Sequence, residues 1–95
     1  MLYRLTIKPK ASKALEKINE PDYSNIKAAI YSLADNPRPN GYKILKGRDG
    51  YRIQVGDYRI IYNIFDKILT VDVVNLGHRK DIVLFSLLSS LALLE

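Results

Sequence analysis

The chain has no cysteine and no tryptophan, and only one histidine and one methionine among its 95 residues. Without cysteine there is no disulfide, no iron–sulfur cluster, no thiolate zinc site and no thiol nucleophile, a composition that suits a reducing cytosol. A single histidine cannot build the nitrogen-rich sets that catalytic metals favour, so neither a metal nor another cofactor is expected. An HExxH helix and a glycine-rich phosphate loop are also missing. No apolar run reaches the roughly 20 residues of a membrane-spanning helix. The longest, Ile82 to Leu94, is interrupted by Ser86, Ser89 and Ser90. The opening MLYRLTIKPKASK alternates apolar and polar residues and carries no secretory pattern, and a cytoplasmic protein is expected.

What is present describes one small basic domain. Hydrophobic residues make up 47% of the chain, too many for a disordered segment. The length supports one core and leaves no room for a second. Fifteen Lys and Arg against ten Asp and Glu give a net charge of +5. The sequence pI is about 9.5. That balance suits nucleic acid or an acidic protein as partner, and equally serves solubility alone.

Along the chain the hydrophobic period changes. Leu2 to Ile7 alternates as a half-buried strand does. After Pro9 and Ala11-Ser12, the spacing of Ala14, Leu15 and Ile18 predicts a short helix that stops at Asn19-Glu20-Pro21. Asp22 to Asn25 offers cap residues for a second helix, whose apolar face is Ile26, Ala29, Ile30 and Leu33 and whose end is set by Asn36-Pro37. Four short runs rich in Ile, Val and Tyr follow, Tyr42 to Leu45, Tyr51 to Val55, Tyr58 to Ile64 and Ile68 to Val74, with Gly77 closing the last. The turns between them, residues 46–50, Gly56-Asp57 and Phe65-Asp66-Lys67, are short enough for hairpins. The expected fold class is therefore α+β, two N-terminal helices on a curved antiparallel sheet, over residues 1–82. Residues 83–95 are expected as an apolar C-terminal helix. With its serines on one face, Leu84, Leu87, Leu88 and Leu91 would pack on the same domain or self-associate with a partner chain over 84–94.

Asp49, Asp57 and Asp66 fall in turns, where aspartate serves local backbone hydrogen bonds, and they make no catalytic carboxylate pair. The cations are more informative. Lys43, Lys46, Arg48, Arg52 and Arg59 cluster between residues 42 and 59, and Gly77-His78-Arg79-Lys80 adds a second group. A two-residue turn at Gly56-Asp57 would set residue 52 opposite 61, so that Arg52, Gln54, Arg59 and Ile61 share one sheet face. Such a face is either a phosphate-binding surface or merely solvated. His78 beside Arg79 is either a surface histidine at a strand end or a proton-transfer group next to a phosphate ligand.

Two stretches, Tyr51-Arg52-Ile53-Gln54-Val55-Gly56-Asp57-Tyr58-Arg59-Ile60-Ile61-Tyr62 and Val73-Val74-Asn75-Leu76-Gly77-His78-Arg79-Lys80-Asp81-Ile82, together resemble the RelE/ParE superfamily of toxin–antitoxin toxins, and the RelE branch more closely. The opening strand, the lysine-rich first helix and Asn36-Pro37-Arg38-Pro39 before Leu45-Lys46-Gly47 fit the same pattern. The resemblance implies a toxin whose sheet binds mRNA in the ribosome and cleaves it, without metal or cofactor, by attack of the ribose 2′-OH. It implies that Arg52 and Arg59 orient and neutralise the scissile phosphate, that Arg79 stabilises the transition state, and that His78 transfers a proton. Lys43, Lys46, Arg48, Gln54 and Lys80 would hold RNA, and the partner would be an acidic RelB-like antitoxin. Gln54 stands where many relatives carry a cation, and Val83 where the RelE pattern commonly has a tyrosine. Two alternatives follow: a non-enzymatic ParE-like toxin that binds a protein target, and an inactivated homologue that binds antitoxin.

Overall fold

The computed structural model describes residues 2–80. Its elements run β1 (Arg4–Ile7), α1 (Pro9–Glu16), α2 (Asp22–Ser32), β2 (Lys43–Ile44), β3 (Tyr51–Val55), β4 (Tyr58–Phe65) and β5 (Thr70–His78). The five strands form one sheet in the order β1-β5-β4-β3-β2. The two helices and the β2-to-β5 meander match the expectation, but the sheet is mixed rather than antiparallel, because β1 pairs parallel to β5. Alternation along Leu2 to Ile7 fixes which side chains face inward and carries no information on strand direction, so the parallel edge was hidden. The expected apolar helix over 83–95 and the contact between chains over 84–94 lie outside the described residues. Among the described residues no helix is long and apolar enough to cross a membrane.

Local chemistry explains the shifted boundaries. Pro9 does not break α1 but opens it: its fixed φ and missing N–H suit the first helical position, and the Ser12 amide then donates to the Lys8 carbonyl at 3.0 Å. Asp22 to Asn25 lies inside the first turn of α2 rather than ahead of it, with Asp22 at the positive end of the helix. Ile68 is not in the last strand but in a 3₁₀ turn (Asp66–Ile68), followed by Leu69 at φ 47. The strand also runs on past Val74 and is not closed by Gly77: Gly77 pairs with Arg59 and His78 with Tyr58, since β4 still offers partners there.

One sheet face is covered. Ile26, Ile30 and Leu33 from α2 and Ala11 from α1 pack on Ile53, Ile60, Tyr62, Val71, Val73 and Leu76, all nearly inaccessible to solvent. Burying side chains of this size contributes on the order of 1.5–3 kcal/mol each and is the main force holding helices to strands. A β-bulge on β5 opposite Ile61/Tyr62 shifts the phase of that strand, so that Val73 and Leu76, three residues apart, both face the core. Away from the core, Asp66 accepts from the Tyr3 hydroxyl at 2.7 Å and pairs with Arg38 at 2.9 Å, fastening the Asn36–Pro39 segment to the β4–β5 turn. Arg38 first, then Tyr3, hold the Asp66 carboxyl below its ordinary range. A lowered folded-state value means stability present above the unfolded value and lost as pH falls through the folded one. Asp66→Asn should therefore flatten part of the acid limb of a thermal-stability profile below about pH 4. An unaltered acid limb would show that the ion pair adds nothing.

Candidate functional site

The site follows from pleating. On β3, Tyr51, Ile53 and Val55 face the helices, so Arg52 and Gln54 face away. On β4, Tyr58 and Ile60 face the helices, so Arg59 and Ile61 face away. The register sets Lys43 opposite Arg52, Arg52 opposite Ile61, and Gln54 opposite Arg59. The shared face expected for Arg52, Gln54, Arg59 and Ile61 is thus formed. It depends on the Gly56-Asp57 turn, where Gly56 at φ 60 gives the hairpin a twist that a side chain would oppose. Beyond it, the Arg79 amide donates to the Asp57 carbonyl at 2.7 Å, which ties the end of β5 to the same hairpin.

The electrostatics of this corner are one-sided. Burial, then the charge of Arg52, then that of Arg79, lower the pKa of Arg59 from its ordinary value. The Arg59 Nε is shielded from solvent and has no hydrogen-bond partner among the described residues. The ion pairs Lys8–Asp72 and Arg38–Asp66 lie elsewhere on the molecule, and neither carboxylate belongs to these three arginines. Asp72, buried at 8% exposure on the far part of the open face, is held by Lys8 at 3.3 Å and by the Thr6 hydroxyl at 2.8 Å. Guanidinium groups gathered without a paired carboxylate among the described residues are chemically able to take an anion, since a phosphate would satisfy the orphaned donor and cancel the repulsion.

The other predicted residues are scattered around it. His78 does not join the arginines. It lies on the helix side, pairs with Tyr58 in the register and meets that ring edge-on at 5.8 Å, while its Nδ1 accepts from the Lys80 amide at 3.3 Å. Gln54 turns its side-chain amide onto the Gly56 carbonyl at 2.9 Å and so braces the hairpin. Lys46 and Arg48 sit exposed in the β2–β3 loop, at the end of β3 away from Gly56. That loop closes only because Gly50, at φ 135, leaves room where a Cβ would come within 3.0 Å of Leu45 and 3.2 Å of Asn63. Among the described residues no three metal-ligating side chains gather.

Sequence reasoning passed over Lys10, Lys13 and Lys17 as site residues. They line, with Tyr58 and His78, a groove of about 590 Å³ on the helix side of the sheet. The signal available was their spacing of three and four, which puts them on one helical stripe.

A family model described as the ParE toxin of type II toxin–antitoxin systems, parDE, matches residues 5–83. Among solved structures, the chain is similar to the archaeal RelE–RelB complex from Pyrococcus horikoshii, with 29% identity and a TM-score of 0.74 over 83% of this chain and 97% of that one. It is similar to the intact Escherichia coli RelBE toxin–antitoxin complex at 26% identity and TM-score 0.69, over 80% and 95% of the two chains. The RelBE2 toxin–antitoxin complex from Mycobacterium tuberculosis shares the fold at 22% identity, TM-score 0.71, over 82% and 99%. No curated protein matches the chain. A family match across most of the chain, laid on a mixed five-stranded sheet with two covering helices and an arginine-rich open face, shows that the chain belongs to the ParE toxin family of type II toxin–antitoxin systems, within the RelE/ParE superfamily.

Proposed function

We propose that this toxin is a ribosome-dependent mRNA endoribonuclease that works without a metal. The supporting observation is Arg59, whose Nε has no hydrogen-bond partner among the described residues and whose guanidinium is within the electrostatic reach of Arg52 and Arg79. In the proposed reaction the ribose 2′-oxygen forms a bond to the scissile phosphorus and the bond to the 5′-oxygen breaks. The products are a 2′,3′-cyclic phosphate and a 5′-hydroxyl, with the 2′-OH proton lost and one proton gained by the leaving oxygen. Arg52 and Arg59 neutralise and orient the phosphate, and Arg79 meets the charge that grows on the phosphorane oxygens. Arginine cannot act as the base. With His78 on the other face, proton transfer falls to water or to groups brought by the substrate. A site that offers charge but no positioned base depends on the substrate arriving already held in attacking geometry, and a ribosome holds its message so. The basic face also suits an acidic RelB-like antitoxin, as the RelB–RelE neighbours suggest.

The placement of His78 also favours a second reading, a ParE-like toxin that binds a protein target and cleaves nothing. Expression from a tight promoter, with growth recorded and mRNA 5′ ends mapped on translated and untranslated copies of one message, separates the two. Cleavage confined to the translated copy is expected. Growth arrest without cleavage would move the assignment to the protein-binding toxin, and no arrest to an inactivated homologue that binds antitoxin.

A further inference from the structure

A recess lies where β3 stops short of β4. Because β3 begins only at Tyr51, opposite Tyr62, the residues Asn63, Ile64 and Phe65 run on with β5 as their strand neighbour on one side alone. The β2–β3 loop folds into the vacated place. Its Leu45 amide donates to the Gly50 carbonyl at 3.0 Å, and Gly50 comes up against the Asn63 carboxamide and the Tyr62 carbonyl. What remains is a hollow of about 380 Å³ whose lining includes Ile44, Arg48, Asp49, Tyr51, Asn63 and Phe65. By the alternation of β4, Asn63 and Phe65 stand on the same side of the sheet as Arg59 and Ile61. Phe65 and Ile44 are both exposed, so an aromatic ring and an aliphatic side chain stand open to solvent at this hollow.

We propose that this recess holds and reads one base of the bound RNA, an adenine. The proposal rests on the RNA-cleaving reading for its substrate and adds a subsite that selects among messages. Asn63 lies four residues from Arg59, about 13 Å along β4, and stacked nucleotides rise about 3.4 Å each, so the base belongs to a nucleotide within about four of the phosphate at Arg59. Unpaired bases are taken by stacking on an aromatic ring and by hydrogen bonds to their edges. Phe65 supplies the ring, Ile44 an aliphatic wall and Asn63 the edge reader. A carboxamide presents a donor beside an acceptor, which matches the ring nitrogen and amino group of adenine. Asp49 accepts only, so it too favours a base with an exocyclic amino group over uracil. Arg48 adds a cation at the rim for a flanking phosphate. A peptide strand pairing with the free edge of β4 would need the space that the loop already fills.

The test measures binding of the full chain to a hexauridylate with 2′-O-methyl ribose, which no 2′-OH attack can cleave, and to the same oligomer with adenosine, cytidine or guanosine at one position in turn. Adenosine at one position should tighten binding by about 5-fold or more. Asn63→Ala should abolish that gain and leave binding of the hexauridylate within about 2-fold. Phe65→Ala should weaken every oligomer by about 5-fold or more, because the stacking face is lost. Phe65→Trp keeps an aromatic face and should bind like the unaltered chain, which separates lost stacking from misfolding. No base preference in the unaltered chain, a preference kept by Asn63→Ala, or undiminished binding by Phe65→Ala would each overturn the proposal. A gain from guanosine or cytidine in place of adenosine would overturn the assignment of the base. Cleavage is scored separately by the 5′-end mapping: base preference without cleavage rejects the nuclease and keeps the recess, and cleavage without base preference does the reverse.

Discussion

Arg59→Met is expected to lower mRNA cleavage, or growth arrest scored by induced toxin level, by about 10²–10³-fold while raising the melting temperature. The two effects have one cause. In the free protein Arg59 is partly desolvated and repelled by the charges of Arg52 and Arg79, and its Nε has no partner among the described residues. Methionine keeps an unbranched stem of similar reach over the sheet and removes both the repulsion and the orphaned donor. Leaving a buried donor unsatisfied costs roughly 1–3 kcal/mol, and this corner is partly open to solvent, so a gain on the order of 1 kcal/mol is expected. For a domain of this size that is about 4–8 °C. The same group is the one a bound phosphate needs, because its fixed fork can meet two phosphate oxygens while repulsion is relieved. Arg59→Lys should hold charge but not the fork, and should therefore retain stability near that of the unaltered chain and recover only a small part of the activity. Calorimetry beside the 5′-end mapping decides. A variant that melts lower and cleaves normally would show that Arg59 is a structural residue and that the anion site lies elsewhere.

How much of this was legible beforehand depends on which physical rule each feature obeys. The Arg52–Gln54–Arg59–Ile61 face came from a rule of period two and a two-residue turn, both local, and the register reproduces it. Helix α2 was legible for the same reason, since Ile26, Ile30 and Leu33 repeat at helical spacing and are buried. What failed was long-range or ambiguous. The parallel pairing of β1 with β5 joins residues more than sixty apart, and nothing in either strand encodes it. The first helix was placed after Pro9 and Ala11-Ser12, although the proline ring favours the first helical position and α1 begins there. Adjacency of His78 and Arg79 in sequence left open which face each would take: Gly77 sits across from Arg59, so by alternation His78 points to the helices. The groove lysines were visible as a stripe on α1, but their partner surface, Leu76 and Tyr58, arrives from strands some sixty and forty residues later.

Tyr62→Phe should destabilise the fold at neutral pH and lose that disadvantage in alkali. Tyr62 is fully buried on β4, and its hydroxyl donates to the Pro37 carbonyl at 2.7 Å. It stacks at 5.9 Å on Tyr51, which in turn meets Tyr42 at 6.1 Å and lies under Arg38 at 5.7 Å. Removing the hydroxyl leaves that carbonyl without its donor, a cost of about 1–3 kcal/mol and hence a melting temperature lower by roughly 5–15 °C. Burial, with smaller contributions from Tyr42 and Tyr51 and against the pull of Arg38, pushes the hydroxyl up to about 12 from its ordinary 10.0. The unfolded chain therefore gives up this proton first. Stability from the neutral hydroxyl is complete below pH 10 and is lost as the pH climbs toward 12. Phenylalanine has no such proton, so the two stability curves should converge across that window. The consequence reaches the site, because the segment pinned at Pro37 leads into β2, where Lys43 stands opposite Arg52. At neutral pH the variant should thus weaken RNA binding modestly while leaving the Arg59 corner, held by the Gly56-Asp57 turn, intact. Denaturant titrations of both proteins at pH 7, 10 and 11.5 measure the convergence directly. Parallel curves would mean that the Tyr62 hydroxyl titrates alike folded and unfolded, and that its bond to Pro37 does not fix the segment.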